Sequence, residues 1–134
     1  MLATYSESQV KAERPVFLNV LKVQLPVAAV VSILHRITGV FLFVASGFFL
    51  WLFAISVHSE QGFNDIKQLL TKPIYAFILW ICLSLVGYHL IAGVRHLLLD
   101  LHIGDSLQLG KISAYVVLIS AIIASVLFGV WLWL

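Results

Sequence analysis

At 134 residues, 62% hydrophobic and only 10% charged, with a mean hydropathy of +1.08, the chain has too few polar groups to cover a water-soluble globule; soluble domains carry roughly a quarter charged residues, so lipid is the solvent this composition suits. The length allows one small domain, and a formal charge of +2, scattered along the sequence, excludes a nucleic-acid-binding surface. The single cysteine, Cys82, excludes a disulfide framework and a cysteine metal site, and within its apolar run it reads as a small buried hydrophobe.

The N-terminal stretch MLATYSESQVKAERPVF lacks the apolar core of a signal peptide. Glu7 and Glu13 argue against a mitochondrial transit peptide. The expected home is therefore the cytoplasmic (inner) membrane of a bacterium, with the first hydrophobic helix driving insertion. Val16 to Leu25 mixes apolar and polar residues and is expected along the membrane surface.

Three apolar stretches follow: Ile37 to Val57 (21 residues), Ile74 to Val94 (21) and Ile112 to Leu134 (23). Crossing ~30 Å of hydrocarbon at a 1.5 Å rise takes about 20 residues, so each can span. They must be helices, because lipid offers backbone N–H and C=O groups no partners. Pro26 and Pro73 suit opening helical turns, where a missing N–H costs nothing. The expected fold is thus an all-α integral membrane domain over residues 1–134. It has an N-terminal cytoplasmic segment, 1–26, and three transmembrane helices at approximately 27–57, 73–99 and 112–134. Glu60 to Thr71 is taken as a connecting loop. Ala121, Ser125 and Gly129, four apart on the last helix, read as a close-packing stripe, and Trp131 and Trp133 as an aromatic belt.

Lys11, Arg14, Lys22 and Arg36 lie before or at the entry to the first span, and Arg95 and Lys111 lie at the second connection on the same side. Only Lys67 and Lys72 fall on the other side. Six against two puts the N-terminus in the cytoplasm and the C-terminus in the periplasm.

Polar residues inside a membrane are costly and invite a reason. His89 sits six residues before Arg95, about 9 Å deeper into the bilayer. Its imidazole needs a hydrogen-bond partner or a metal, and haem iron suits an imidazole in a helical bundle; spacing alone leaves ligand and packing histidine both open. His96 follows His89 by two turns on nearly the same face, beside Arg95, with His35 and Arg36 at matching depth on the first helix. Haem propionates would want such cationic company, and the positive-inside rule alone would also place arginines there. Ser32 and Arg36, four apart, share a helix face and could hold a quinone's carbonyl oxygens; a hydroxyl bonded back to its own helix is the competing reading of Ser32. No Asp or Glu lies in any span, which excludes the usual proton-coupled carrier. No nucleophile–base pair or phosphate-binding glycine loop stands out, so the chain is not expected to be an enzyme by itself.

Arg14-Pro15, then Ser32-Ile33-Leu34-His35-Arg36-Ile37-Thr38-Gly39, then His89-Leu90-Ile91-Ala92-Gly93-Val94-Arg95-His96 with Asp100, together resemble the bacterial cytochrome b subunits of succinate dehydrogenase. The resemblance runs over essentially the whole chain and departs at Leu99, where the family pattern has Met or an aromatic residue. It implies that His89 is an axial ligand of haem b iron, that Ser32 and Arg36 line a ubiquinone pocket, and that His35, Arg95 and His96 lie near the haem propionates. Six-coordinate iron needs a second histidine, and the reckoning from helix depth finds none level with His89: His35 and His96 lie nearer the cytoplasm, His58 on the far side. The resemblance supplies it from a second, smaller membrane-anchor subunit that completes the helical bundle and shares the haem. FAD and iron–sulfur clusters are implied only in partner subunits, a flavoprotein and an iron–sulfur protein. The alternatives are a haem-free quinone-binding anchor of a fumarate reductase type and a purely structural membrane scaffold.

Overall fold

The computed structural model describes residues 24–134. Arg14-Pro15, Lys11, Lys22 and most of the expected surface segment Val16 to Leu25 lie outside the described residues. Among the described residues four helices occur in chain order: α1 (Val27–His58), α2 (Glu60–Leu70), α3 (Pro73–Asp100) and α4 (Leu107–Trp133). Three of them, α1, α3 and α4, are long and apolar enough to cross a membrane. Their 32, 28 and 27 residues correspond to about 48, 42 and 40 Å, so each outruns the hydrocarbon layer. No strand occurs among the described residues, as lipid demands.

Local chemistry sets the helix ends. Pro26 precedes α1, and its carbonyl accepts from the Ala29 and Val30 amides at 2.9 and 3.2 Å. Pro73 opens α3 at its first turn. The Ser106 hydroxyl accepts from the Leu109 amide at 3.3 Å, so α4 begins at Leu107, five residues before the expected 112. Between α3 and α4 the chain leaves the helix through His102, whose φ of 59° is left-handed. There the Ile103 amide reaches back to the Leu98 carbonyl and the His102 amide to Leu99, both at 2.9 Å. This paired closure is how helices end at a left-handed residue.

The segment expected as a loop, Glu60 to Thr71, is largely the helix α2. Ser59 caps it, accepting from the Gly62 amide at 3.0 Å. Phe63, Ile66, Leu69 and Leu70 recur at helical spacing among polar residues. That pattern suits a helix lying at the interface rather than crossing it.

Helix α3 packs against both α1 and α4. Lipid is as apolar as leucine, so close packing and hydrogen bonds, not water expulsion, hold membrane helices together. The buried centre is accordingly small: Val31, Ala92, Ala114 and Val117, flanked by Val27, Ala28, Tyr88, Ile91 and Leu118. Alanines on α3 and α4 let the three backbones approach. Elsewhere large side chains point outward, with Phe43 at 81% exposure. Nearer the other end, the Trp80 indole N–H donates to the Ser125 carbonyl at 2.8 Å, and the Ser84 and Ser125 hydroxyls meet at 2.8 Å. Gly129 lies under Trp80, where a Cβ would come within 3.3 Å of the indole nitrogen. The small-residue stripe thus seats a tryptophan. Trp131 faces outward, whereas Trp133 lies edge-on to Trp80 with ring centres 6.0 Å apart.

Candidate functional site: a histidine row between α1 and α3

Helices α1 and α3 run antiparallel and are clasped by the Tyr88 hydroxyl, which donates to the Val31 carbonyl at 2.8 Å. One turn further along α1, three imidazoles form a row. His35 stacks on His89 with ring centres 4.1 Å apart and planes within 19°. His96 tilts against His35 with ring centres 5.0 Å apart. Two glycines make room. A Cβ on Gly39 would come within 3.1 Å of His89 Cε1, and one on Gly93 within 3.3 Å of His35 Nε2.

The row corrects the depth reckoning from sequence: His35 is in direct contact with His89. Counting rise per residue locates Cα atoms, and it ignores the reach of two imidazoles across the seam. The stacked geometry still keeps His35 from being the second axial ligand of an iron held by His89. Axial ligands address a metal from opposite sides, and near-parallel stacked rings lie side by side. Among the described residues, no three His, Cys, Asp or Glu side chains converge on a common metal position.

His89 fits a haem iron in the way that this geometry can test. Its Nδ1 lies 3.1 Å from the Thr38 hydroxyl. Its Nε2 makes no hydrogen bond among the described residues. No buried side-chain nitrogen or oxygen among them is left without a partner, so Nε2 opens at the chain's surface. A ring anchored through one nitrogen and open at the other is the arrangement metal-binding histidines adopt.

Ser32 and Arg36 follow Val31 and His35 by one residue each, a turn of about 100° around α1. Ser32 is half-buried and Arg36 exposed on that flank. Thr38, Ser46, Ser56, Ser84 and Ser113 all donate to a carbonyl three or four residues earlier in their own helix. Ser32 makes no such bond among the described residues. Two grooves, of about 420 and 610 Å³, lie around Arg95 between α3, α4 and the start of α1; neither Ser32, Arg36 nor the histidines line them.

Arg95 does not join the histidines. It is 6% exposed, its Nε donates to Ser113 Oγ at 2.9 Å and its Nη2 to the Gly110 carbonyl at 3.1 Å. A buried guanidinium must find acceptors, and α4 supplies them. Spacing along α3 put Arg95 beside His96 without revealing which neighbour its side chain meets. Sequence reasoning also passed over Thr38 and the two glycines; the signal available was their place within the Ser32 to Gly39 and His89 to His96 strings.

The family model described as succinate dehydrogenase/fumarate reductase transmembrane subunit matches residues 11–128. The chain is 41% identical over 123 residues to the succinate dehydrogenase cytochrome b556 subunit of Coxiella burnetii, covering 91% of this chain and 98% of that one. It is 32% identical over 134 residues to the protein of the same name from Rickettsia bellii, covering 97% and 98%. The corresponding protein of Paracoccus denitrificans is 27% identical over 117 residues, covering 87% and 90%. With its three apolar spans and the matched length, this chain is a multi-pass membrane protein and a member of the succinate dehydrogenase/fumarate reductase transmembrane subunit family.

Proposed function

We propose that the chain is the haem- and quinone-bearing anchor of a bacterial succinate:quinone oxidoreductase, catalytically silent alone. The observation that carries this reading is the seat of His89: Nδ1 held by Thr38, one face covered by His35, Nε2 open. A b-type haem, when bound, supplies one-electron exchange at its iron. His89 Nε2 would hold its iron, and His35 and His96 would offer donors to the propionates. Arg95 adds positive charge at the same end, held in place by its bonds to Ser113 and Gly110. A second histidine for the iron would come from the smaller anchor subunit.

Ser32 and Arg36 bind the carbonyl oxygens of ubiquinone. The Ser32 hydroxyl is not spent on its own helix and can donate. Arg36 donates as well, and its charge offsets the negative charge that builds on quinone oxygens during reduction. The exposed flank they occupy needs walls from the second anchor and the iron–sulfur subunit, with the flavoprotein beyond. The excess of Lys and Arg at this end orients it, and the N-terminus, toward the bacterial cytoplasm, leaving the C-terminus in the periplasm. The name cytochrome b556 carried by the relatives favours this reading over a haem-free anchor of fumarate reductase type.

The assembled complex carrying His89→Ala tests the haem assignment. It should insert normally, because insertion rests on apolar length, and lose its b-type absorbance. Arg36→Ala should keep the haem and lose succinate-driven quinone reduction by about 10- to 100-fold, the worth of one charge-assisted hydrogen bond. Unchanged haem in the first variant removes the ligand assignment, and intact quinone reduction in the second removes the quinone site.

A further inference from the structure

We propose that Thr38, with Gly39 beside it, is a positioning residue that fixes the tautomer and pitch of the His89 ring, leaving Nε2 as a bare lone pair aimed out of the α1–α3 seam. The proposal rests on His89 being the axial ligand. Thr38 is buried, at 6% exposure, in the α1–α3 seam beside the histidine row. Its Oγ1 lies 2.9 Å from the His35 carbonyl oxygen and 3.1 Å from His89 Nδ1. A carbonyl oxygen can only accept, so at that distance the single hydroxyl proton must point at it; otherwise two lone pairs would face each other without a proton between them. The hydroxyl then offers His89 only lone pairs. Nδ1 must therefore carry the ring's proton and donate it to Thr38, which leaves Nε2 unprotonated and able to bind a metal.

The tautomer is thus set through a chain of two hydrogen bonds, from His89 through Thr38 to the backbone of α1. The chain also tunes the ligand. An imidazole that donates from Nδ1 is a stronger electron donor at Nε2, which stabilises ferric over ferrous iron. Gly39 supplies the other half of the seat. With His89 Cε1 only 3.1 Å from where a Cβ would stand, any larger residue pushes the ring a few tenths of an ångström along the seam. His35 covers a face of the ring by stacking, so the ring is bounded by hydroxyl, backbone and imidazole.

The test is made in the assembled, haem-loaded complex and read by redox titration and by haem retention under competing apo-acceptor, not by turnover. Thr38→Val keeps the shape and removes the hydroxyl. It should raise the haem midpoint potential and weaken haem retention by about 10- to 100-fold, the usual cost of removing a ligand's hydrogen-bond partner. Thr38→Ser keeps the hydroxyl and should return both readings to wild type; Thr38→Ala removes the hydroxyl without β-branching and serves if the valine variant does not assemble. A wild-type potential in the hydroxyl-free variants, or a serine variant as shifted as they are, overturns the proposal. His89→Ala run alongside separates the two failures. If it keeps its haem, the ligand assignment itself has failed; if it loses haem while Thr38→Val is unperturbed, only the role of Thr38 has.

Discussion

The Arg95 clasp makes a counter-intuitive prediction: removing the small partner is worse than removing the large one. Arg95 is buried and gives Nε to Ser113 and Nη2 to the Gly110 carbonyl. Ser113 in turn donates its own proton to that same carbonyl at 3.1 Å. Replacing Arg95 with Met keeps an apolar stem of similar reach and leaves Ser113 and Gly110 still bonded to each other. No acceptor is orphaned, and a desolvated charge is removed. The expected loss is about 1 kcal/mol, in line with polar contacts between membrane helices, which average ~0.6 kcal/mol. Ser113→Ala is different. It strands the Nε–H of a buried cation, and an unsatisfied buried charged donor costs roughly 2–3 kcal/mol. The double variant Arg95→Met/Ser113→Ala should fall back to about 1 kcal/mol, because no stranded donor remains. An SDS titration of the detergent-purified protein, followed by circular dichroism, ranks the three. If Ser113→Ala is milder than Arg95→Met, and the two losses simply add, the guanidinium is not satisfied in the way described.

Two other outcomes follow from the fold. Gly62→Ala places a Cβ against the Ile55 backbone carbonyl, which cannot swing aside; α2 must lift from α1, at about 1–3 kcal/mol for an overpacked contact, and should become more sensitive to added protease than in the wild type. Labelling with a membrane-impermeant maleimide tests orientation. Asp105→Cys should react only in inside-out vesicles and Gln61→Cys only in right-side-out ones, and the reverse pattern would invert the topology.

The spans were legible because lipid imposes a length and forbids charge, and both can be counted along a sequence. Helix α2 was not, since it satisfies neither rule; its signal was Ser59 as a cap followed by Phe63, Ile66 and Leu69, which length-based reasoning overlooks. The start of α4 was misjudged for a related reason. Lys111 reads as loop, yet Ser106 caps a helix that carries the lysine on its exposed first turns. Within the site, His89 stood out by its depth. Its contacts did not, because Thr38 lies 51 residues away and nothing in a linear string says which hydroxyl meets which ring. Arg95 shows the same limit: its acceptors are 15 and 18 residues downstream, across a turn whose geometry decides the pairing.

The two polar clasps on the α4 side of α3 bear on the histidines from behind. Trp80 is bonded to Ser125 and Arg95 to Ser113 and Gly110, and these anchor points stand about 22 Å apart along the helix. His89 lies between them on the chain. A slide of α3 past α4 by even one turn, about 5.4 Å, would break both anchors at once, so the pair travels as a single rod. The elevation of the imidazole in the bilayer is thereby governed by bonds it takes no part in.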